Sequence, residues 1–423
     1  TTGFFVEGGV VLSSAGDDRT RCPATRYRYV DGAFAAGEPF PVPSPAGLVD
    51  LDGDGYLDAL SLRRGAEVAW GTGHGFEARA PVGEPDAKGY GLTTVSAFDF
   101  DGDGQLDVGT SGTECRESLR LFRGMSGRRF EAGPAMDEKV PRIGAAVVGL
   151  LPRGEFGVFG TACPEPSADA DVVLSPTLEP IAIPRLSGRQ APMGAAVGDL
   201  DGDGVLDLVV TLNPEVAVYR GTGTGYEPVW SGIAESTGNW PMIPWGIAAI
   251  DINRDGLLDL VVACGNDHQA LVDPKFAPGP QHAVLWIGQG GWDFADATES
   301  AGLDVLGQFQ SLAVGDLEGD GDPDFIAGGV GDLPRVWRNE IQGPGRAASV
   351  RLDPPVIGAL LDAEGRRYFL GSVLSPYALS TPAAYLVLET DEAMAKVTFP
   401  SGRVLDALVR PGPNVLSTKE TAP

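Results

Sequence analysis

Five short acidic segments recur along this chain at spacings near fifty residues or its double, and that recurrence restricts the fold more than any other feature. They read DLDGDGYLD from Asp50, DFDGDGQLD from Asp99, DLDGDGVLD from Asp199, DINRDGLLD from Asp251 and DLEGDGDPD from Asp316, at intervals of 49, 100, 52 and 65 residues. Half of the long interval predicts a further copy near residue 149. It is present in altered form: AAVVGLLPRGEFGVF (Ala145 to Phe159) aligns with GAAVGDLDGDGVLDLVV (Gly194 to Val210), with Gly149 and Pro152 where the acids would stand. A spacing that locates its own degenerate member is a structural period.

Each unit has a second half. A β-rich apolar run such as LDLVV (Leu206 to Val210) follows the acid loop, and then a run ending in a glycine turn with an aromatic, as in VAVYRGTGTGYEP (Val216 to Pro228) or LRLFRGMSGRRFE (Leu119 to Glu131). Residues 10–34 repeat this second half without an acid loop, so units begin near residues 1, 46, 95, 145, 195, 247 and 312. A chain of 423 residues would ordinarily divide into two or three domains, but a repeat grows without one central core. Short β-runs separated by turns, in a sequence with 60 glycines and 34 prolines, predict an all-β protein, a seven-bladed β-propeller over residues 1–345. The 3.6-residue apolar periodicity of a helical solenoid is missing. The seventh unit is short, so ring closure would draw a strand from the N-terminal segment. Residues 346–423 carry 8 basic and 8 acidic residues, whereas the whole chain has 31 against 58; they are expected to form a separate small β domain.

Numbered from its first aspartate, each acid loop offers side-chain oxygens at positions 1, 3, 5 and 9. These are Asp50, Asp52, Asp54 and Asp58; Asp99, Asp101, Asp103 and Asp107; Asp199, Asp201, Asp203 and Asp207; Asp251, Asn253, Asp255 and Asp259; and Asp316, Glu318, Asp320 and Asp324. Position 6 is always glycine, as a sharp turn favours. Position 7 varies (Tyr56, Gln105, Val205, Leu257, Asp322), which suits a ligand supplied by the backbone carbonyl. Clustered carboxylates repel unless a cation lies between them. Oxygen-only ligand sets of this size suit Ca²⁺, and the absence of His and Cys argues against zinc or copper. Position 12 is Ser61, Thr110, Val210, Val262 or Ala327 rather than Glu, and β-rich runs follow, so these are not EF-hands. The expectation is about five structural Ca²⁺ ions in β-hairpins. A plain solvated aspartate turn is the competing reading.

A net charge of −27 disfavours nucleic acid and anionic membrane surfaces as partners. No apolar run is long enough to span a bilayer. The chain opens at Thr1 without a basic and apolar leader, which leads one to expect a cytoplasmic or an already processed protein. Four widely spaced cysteines, Cys22, Cys115, Cys163 and Cys264, permit two disulfides in any of three connectivities, with separate buried thiols as the alternative.

The loops resemble the FG-GAP or VCBS repeats of seven-bladed propellers, and FADATESAGL (Phe294 to Leu303) ahead of GDLEGDGDPD resembles the cartilage acidic protein group. Ile357 to Arg403 is similar to the ASPIC/UnbV domain in its IGA, SPYALS and VTFPSG segments, with Phe399 where that family usually has Trp. The resemblance implies a secreted, periplasmic or cell-surface protein that binds calcium and serves adhesion or recognition.

No nucleophile elbow, HExxH or phosphate-binding loop occurs, and GTGTGYE is one of the repeated hairpin turns. No catalytic residue is assigned. The expected function is lectin-like or adhesive binding of a glycan or an extracellular protein through propeller loops. Trp240 and Trp245 in GNWPMIPWG, and His268 and His282 flanking the 264–282 insertion, are the candidate ligand contacts. Inter-blade packing is the bland alternative for the tryptophans. The alternative function is an enzyme, or a subunit associated with one, with its site in the central channel or at the insertion.

Overall fold

The computed structural model describes strand backbones across residues 3–49, 92–98 and 143–184, and side chains through most of 50–83, 101–133, 193–233, 242–266, 281–328, 335–370 and 383–418. The protein is all-β, made of repeating three- and four-stranded antiparallel sheets. Six four-stranded meanders occupy residues 3–39, 45–81, 92–132, 143–184, 192–233 and 244–296, and a three-stranded one occupies 311–337. In each, consecutive strands are hydrogen-bonded neighbours. The opening strands of consecutive sheets lie beside one another, and Gly3–Glu7 lies against both Pro45–Val49 and Ser311–Gly315. The N-terminal segment therefore builds a sheet of its own. Among the described residues it lends no strand to the sheet at 311–337, contrary to the expectation from that unit's length.

The apolar run after each acid loop becomes the second strand of its sheet. Asp207–Leu212, Asp259–Cys264 and Asp324–Gly328 are buried at every residue, because neighbouring sheets cover both of their faces. This explains why these runs are continuously apolar rather than alternating. The core therefore lies between sheets. Val209, Val216 and Val218 of one sheet pack with Leu260, Val262 and Trp286 of the next, while Val261, Leu285, Leu312 and Phe325 fill the following gap. Each such side chain contributes about 1.5–3 kcal/mol when removed from water. Trp230 meets Trp286 edge-on at 5.4 Å across one of these seams, and within the last sheet Trp337 stacks on its cross-strand partner Phe325 at 5.0 Å.

Cys264 ends one of these strands as a fully buried free thiol, and burial pushes its pKa up. Two disulfides would need all four cysteines, so that framework is overturned; Cys22, Cys115 and Cys163 lie outside the described residues.

From Arg346 onward the pattern changes. Arg346–Asp353 pairs antiparallel with Ala383–Leu388 and parallel with Gly412–Ser417. A second sheet runs Arg366–Leu370, Ala359–Ala363, Ala393–Thr398, Val404–Val409 in spatial order. The two enclose a separate core that includes Val350, Leu361, Leu370, Leu388, Val397 and Phe399. Among the described residues no helix is long and apolar enough to cross a membrane.

Candidate metal centre

Every acid loop occupies the same place. It joins the first and second strands of its sheet, and the residue before position 1 pairs with position 9: Val49 with Asp58, Phe98 with Asp107, Gly198 with Asp207, Ile250 with Asp259, Gly315 with Asp324. In the degenerate fourth sheet Leu150 pairs with Phe156, so the connection is shorter and carries no set of alternating acids. Position 6 has positive φ in the three loops where it is described (Gly204, Gly256, Gly321), as its invariance requires.

The carboxylate at position 9 is fully buried in all five loops. In four of them one oxygen accepts the N–H of position 2 at 2.7–2.9 Å: Leu51, Leu200, Ile252 and Leu317. In all five the other oxygen accepts a backbone N–H from the end of the third strand, from Gly71, Gly124, Gly221, Gly288 or Asn339, at 2.7–2.9 Å. Position 9 thus ties the loop to the sheet. Burial raises the pKa of Asp58, Asp207, Asp259 and Asp324 to about 7 each, outweighing the two backbone hydrogen bonds that pull the other way.

Positions 1, 3 and 5 cap the turn. Asp201 Oδ1 accepts the Asp203 N–H at 3.1 Å, and Asp203 Oδ1 accepts the Val205 N–H at 2.8 Å; Asp101, Asp103 and Asp255 do the same in their loops. The outward oxygens of positions 3 and 5 meet arginine. Arg220 approaches Asp201 at 3.1 Å and Asp203 at 2.9 Å, Arg123 approaches Asp101 at 2.5 Å, and Arg338 approaches Glu318 at 3.7 Å. Each of these arginines directly precedes the residue whose N–H holds the position 9 carboxylate. In the second sheet Trp70 takes that place, and Arg128 reaches over from the next sheet to Asp52 at 2.5 Å and Asp54 at 3.0 Å. Guanidinium groups therefore supply part of the positive charge that clustered carboxylates demand. The sequence carried this signal, as YRG, FRG and WRN, but the loops alone do not reveal it.

The loops differ in what remains for a metal. Among the described residues, two bring three carboxylates to within 4.8 Å of one another: Asp50, Asp52 and Asp54, and Asp199, Asp201 and Asp207. The expectation of about five equivalent sites is corrected to two candidate clusters. At Asp251 the amide of Asn253 donates to Asp255 at 2.9 Å, so a side-chain hydrogen bond holds two ligand positions together. At Asp316 both oxygens are occupied by the N–H groups of Gly319, Asp320 and Gly321 and by the Ser349 hydroxyl at 3.1 Å. Asp99 and Tyr56 lie outside the described residues.

Asp199 decides the fit. It is 1% exposed, its Oδ2 accepts the N–H groups of Gly204 at 3.1 Å and Arg367 at 3.3 Å, and its Oδ1 is buried with no partner. A buried carboxylate oxygen without a hydrogen bond is costly unless a cation takes it up, and an all-oxygen set of this kind suits Ca²⁺.

The C-terminal sheets sit directly on this face. Arg367 Nη1 donates to the Gly204 carbonyl at 3.2 Å, Ser349 reaches Asp316, and Leu206 packs with Leu360 and Phe369. Position 7 of the last loop, Asp322, is buried with an unpartnered Oδ1 and has Arg254 at 3.9 Å; burial raises its pKa to about 7.

Of the other candidate contacts, Trp245 and His282 are described. Trp245 is buried, its indole N–H donating to the Gly265 carbonyl at 2.7 Å. His282 is half-buried, with Nδ1 2.8 Å from the Ala283 carbonyl. The described ends of the 264–282 insertion form a closed amide network, Gln281 to Asn266 at 2.8 Å and Gln281 to the Ile243 N–H at 2.8 Å. Trp240 and His268 lie outside the described residues.

The FG-GAP-like repeat model matches residues 50–110 and 199–262, which contain four of the five acid loops. No curated protein matches the sequence. Among solved structures, the chain is similar to the BP39L lectin from Burkholderia pseudomallei, at 14% identity over 78% of this chain and 91% of that one, with a TM-score of 0.52. It also matches the Dos1 propeller, at 11% identity over 79% and 76% with a TM-score of 0.46. Raptor from Chaetomium thermophilum matches at 11% identity and TM-score 0.42 over 88% of this chain, which spans only 28% of Raptor's length. The fold is β-rich and repetitive, resembling propeller-like structures.

Proposed function

We propose that residues 1–345 form a calcium-stabilised seven-bladed propeller, that residues 346–423 form a β domain seated on its loop face, and that the whole serves as an extracellular recognition protein for a glycan or protein. Seven meanders in sequence, with Gly3–Glu7 lying against Ser311–Gly315, support ring closure. The observation that carries calcium is the buried, unpartnered Asp199 Oδ1 inside the converging Asp199, Asp201 and Asp207 cluster. Asp199, Asp201 and Asp207, with the Val205 carbonyl, would hold one ion, and Asp50, Asp52 and Asp54 a second. Bound there, Ca²⁺ supplies charge neutralisation and stiffens the turn. The chain's own groups do the rest: position 9 anchors the loop, and positions 3 and 5 cap its backbone.

An extracellular setting suits such sites, since calcium modules outside cells work at dissociation constants of about 10⁻⁴ to 10⁻³ M. Calorimetric titration of chelated protein with Ca²⁺, read with thermal melts, tests the reading. Two equivalents and a raised melting temperature are expected. An unchanged melt with no heat of binding overturns it.

A further inference from the structure

A cleft of about 360 Å³ opens where the acid loop of the second sheet, the third-sheet hairpin at Gly124–Phe130 and the C-terminal segment Phe399–Arg403 meet. Its size suits an organic ligand rather than a single ion. The charges lining it are Asp50, Asp52, Arg128, Arg129 and Arg403. Arg128 is consumed by Asp52, Asp54 and Glu77. Arg129 and Arg403 pair with no described carboxylate, in a chain of net charge −27 where acids outnumber bases almost two to one. Two guanidinium groups without a described carboxylate partner on one cleft of so acidic a protein are the local exception, and at a Debye length of about 8 Å the negative charge beyond the cleft's own Asp50 and Asp52 does not cancel them.

The cleft also holds apolar and hydroxyl-matching surface. Phe130 contributes aromatic carbon and is held parallel to Trp70 at 6.2 Å, while Phe399, buried in the C-terminal core, supports Arg403 from beneath. The Arg403 guanidinium lies 4.0 Å from the centre of the Phe399 ring, a cation–π contact that holds it at the cleft. Ser401 and Gln105 add neutral hydrogen-bonding groups. Guanidinium forks match carboxylates in two parallel hydrogen bonds, aromatic carbon suits the C–H faces of sugar rings, and hydroxyl and amide groups suit their hydroxyls.

We infer that this cleft binds a carboxylated saccharide of the uronate type, with Arg403 and Arg129 taking its carboxylates. The inference deepens the recognition reading above and rests on it. It places the ligand where the C-terminal sheets meet the repeat sheets, away from Trp245.

The test is calorimetric titration of the full chain in calcium with tetragalacturonate, with its neutral galactose counterpart and with a tetra-aspartate peptide. Binding of tetragalacturonate alone is expected, weakened at least about tenfold in Arg403→Ala and in Arg129→Ala. Arg403→Lys, which keeps the charge and gives up the fork, should also weaken it, while Arg410→Ala, at an exposed pair with Glu392, should leave it unchanged. No binding, equal binding of the neutral sugar or of the peptide, or wild-type affinity in correctly melting Arg403→Ala and Arg129→Ala variants overturns the inference. The calcium-induced melting shift on the same samples separates the two readings: a retained shift without uronate binding defeats the cleft alone, and uronate binding without a shift defeats calcium alone.

Discussion

Asp207 Oδ1 accepts the Gly221 N–H at 2.8 Å, linking an acid loop to the end of the third strand across fourteen residues of chain. The other oxygen takes the Leu200 N–H at 2.8 Å. Replacing Asp207 with Ala would strand two buried N–H groups, and hydrogen bonds to charged partners are worth about 1.5–3 kcal/mol each. A loss of about 3 kcal/mol or more is expected in denaturant unfolding of calcium-free protein. Asp203→Asn, at an exposed ion pair, should cost at most about 1 kcal/mol. Equal effects of the two would mean that position 9 is no anchor.

The period and the sheet content were legible in the sequence, because hairpin loops and doubly buried strands impose local residue choices. Position 6 glycine and the apolar runs have counterparts in the backbone and the core. The division of labour within the loop was not legible. Asp201 and Asp207 are the same residue type six positions apart, yet one caps a turn and meets Arg220 while the other ties strands together. Which loops converge depends on partners from elsewhere: Arg367 at Asp199, Ser349 at Asp316, Arg128 at Asp52. Those contacts span up to 168 residues, and no pattern within one repeat encodes them.

Calcium binding should follow this division. Asp199→Asn removes charge at the unpartnered oxygen and is expected to lose one of two equivalents by calorimetry. Asp316→Asn, where four hydrogen bonds already occupy both oxygens, should lose none. Loss of an equivalent in the second variant and not the first would reverse the assignment.

The pH dependence of calcium-free protein should be opposite to that of most acidic proteins. Asp58, Asp207, Asp259 and Asp324 are pushed up from 3.8 to about 7 in the fold, so the folded chain holds more protons than the unfolded one between those values. Their contribution to stability is fully present below about pH 4 and is lost as the pH rises through 7. Melting temperatures in chelator should therefore fall from pH 5 to pH 7.5, and calcium should reduce or reverse that slope. A rise in chelator would contradict the burial argument.

Trp245 is expected to act in the core. Its buried ring and its 2.7 Å bond to the Gly265 carbonyl predict that Trp245→Ala costs about 3–5 kcal/mol of stability. Trp245→Phe, which keeps most of the apolar surface but loses the indole donor, should cost about 1–3 kcal/mol. Glycan affinity of the folded Phe variant should match wild type; a selective loss of affinity with an unchanged melt would return this residue to the ligand site.

Gly321 joins the two halves of the molecule. It sits at φ +95 in the last acid loop, and a Cβ there would lie 2.7 Å from Gly412 Cα and 3.0 Å from the Ala347 carbonyl, both in the C-terminal sheets. Gly204, the same loop position in the fifth sheet, has φ +83 with nothing within 4 Å of an added Cβ. Both alanine variants strain the backbone, by about 1 kcal/mol, but only Gly321→Ala also pushes backbone against backbone across the junction. Limited proteolysis should therefore release the C-terminal segment faster in Gly321→Ala than in Gly204→Ala. Equal rates would mean that the junction yields freely and that the contact at Gly321 does not hold the C-terminal sheets in place.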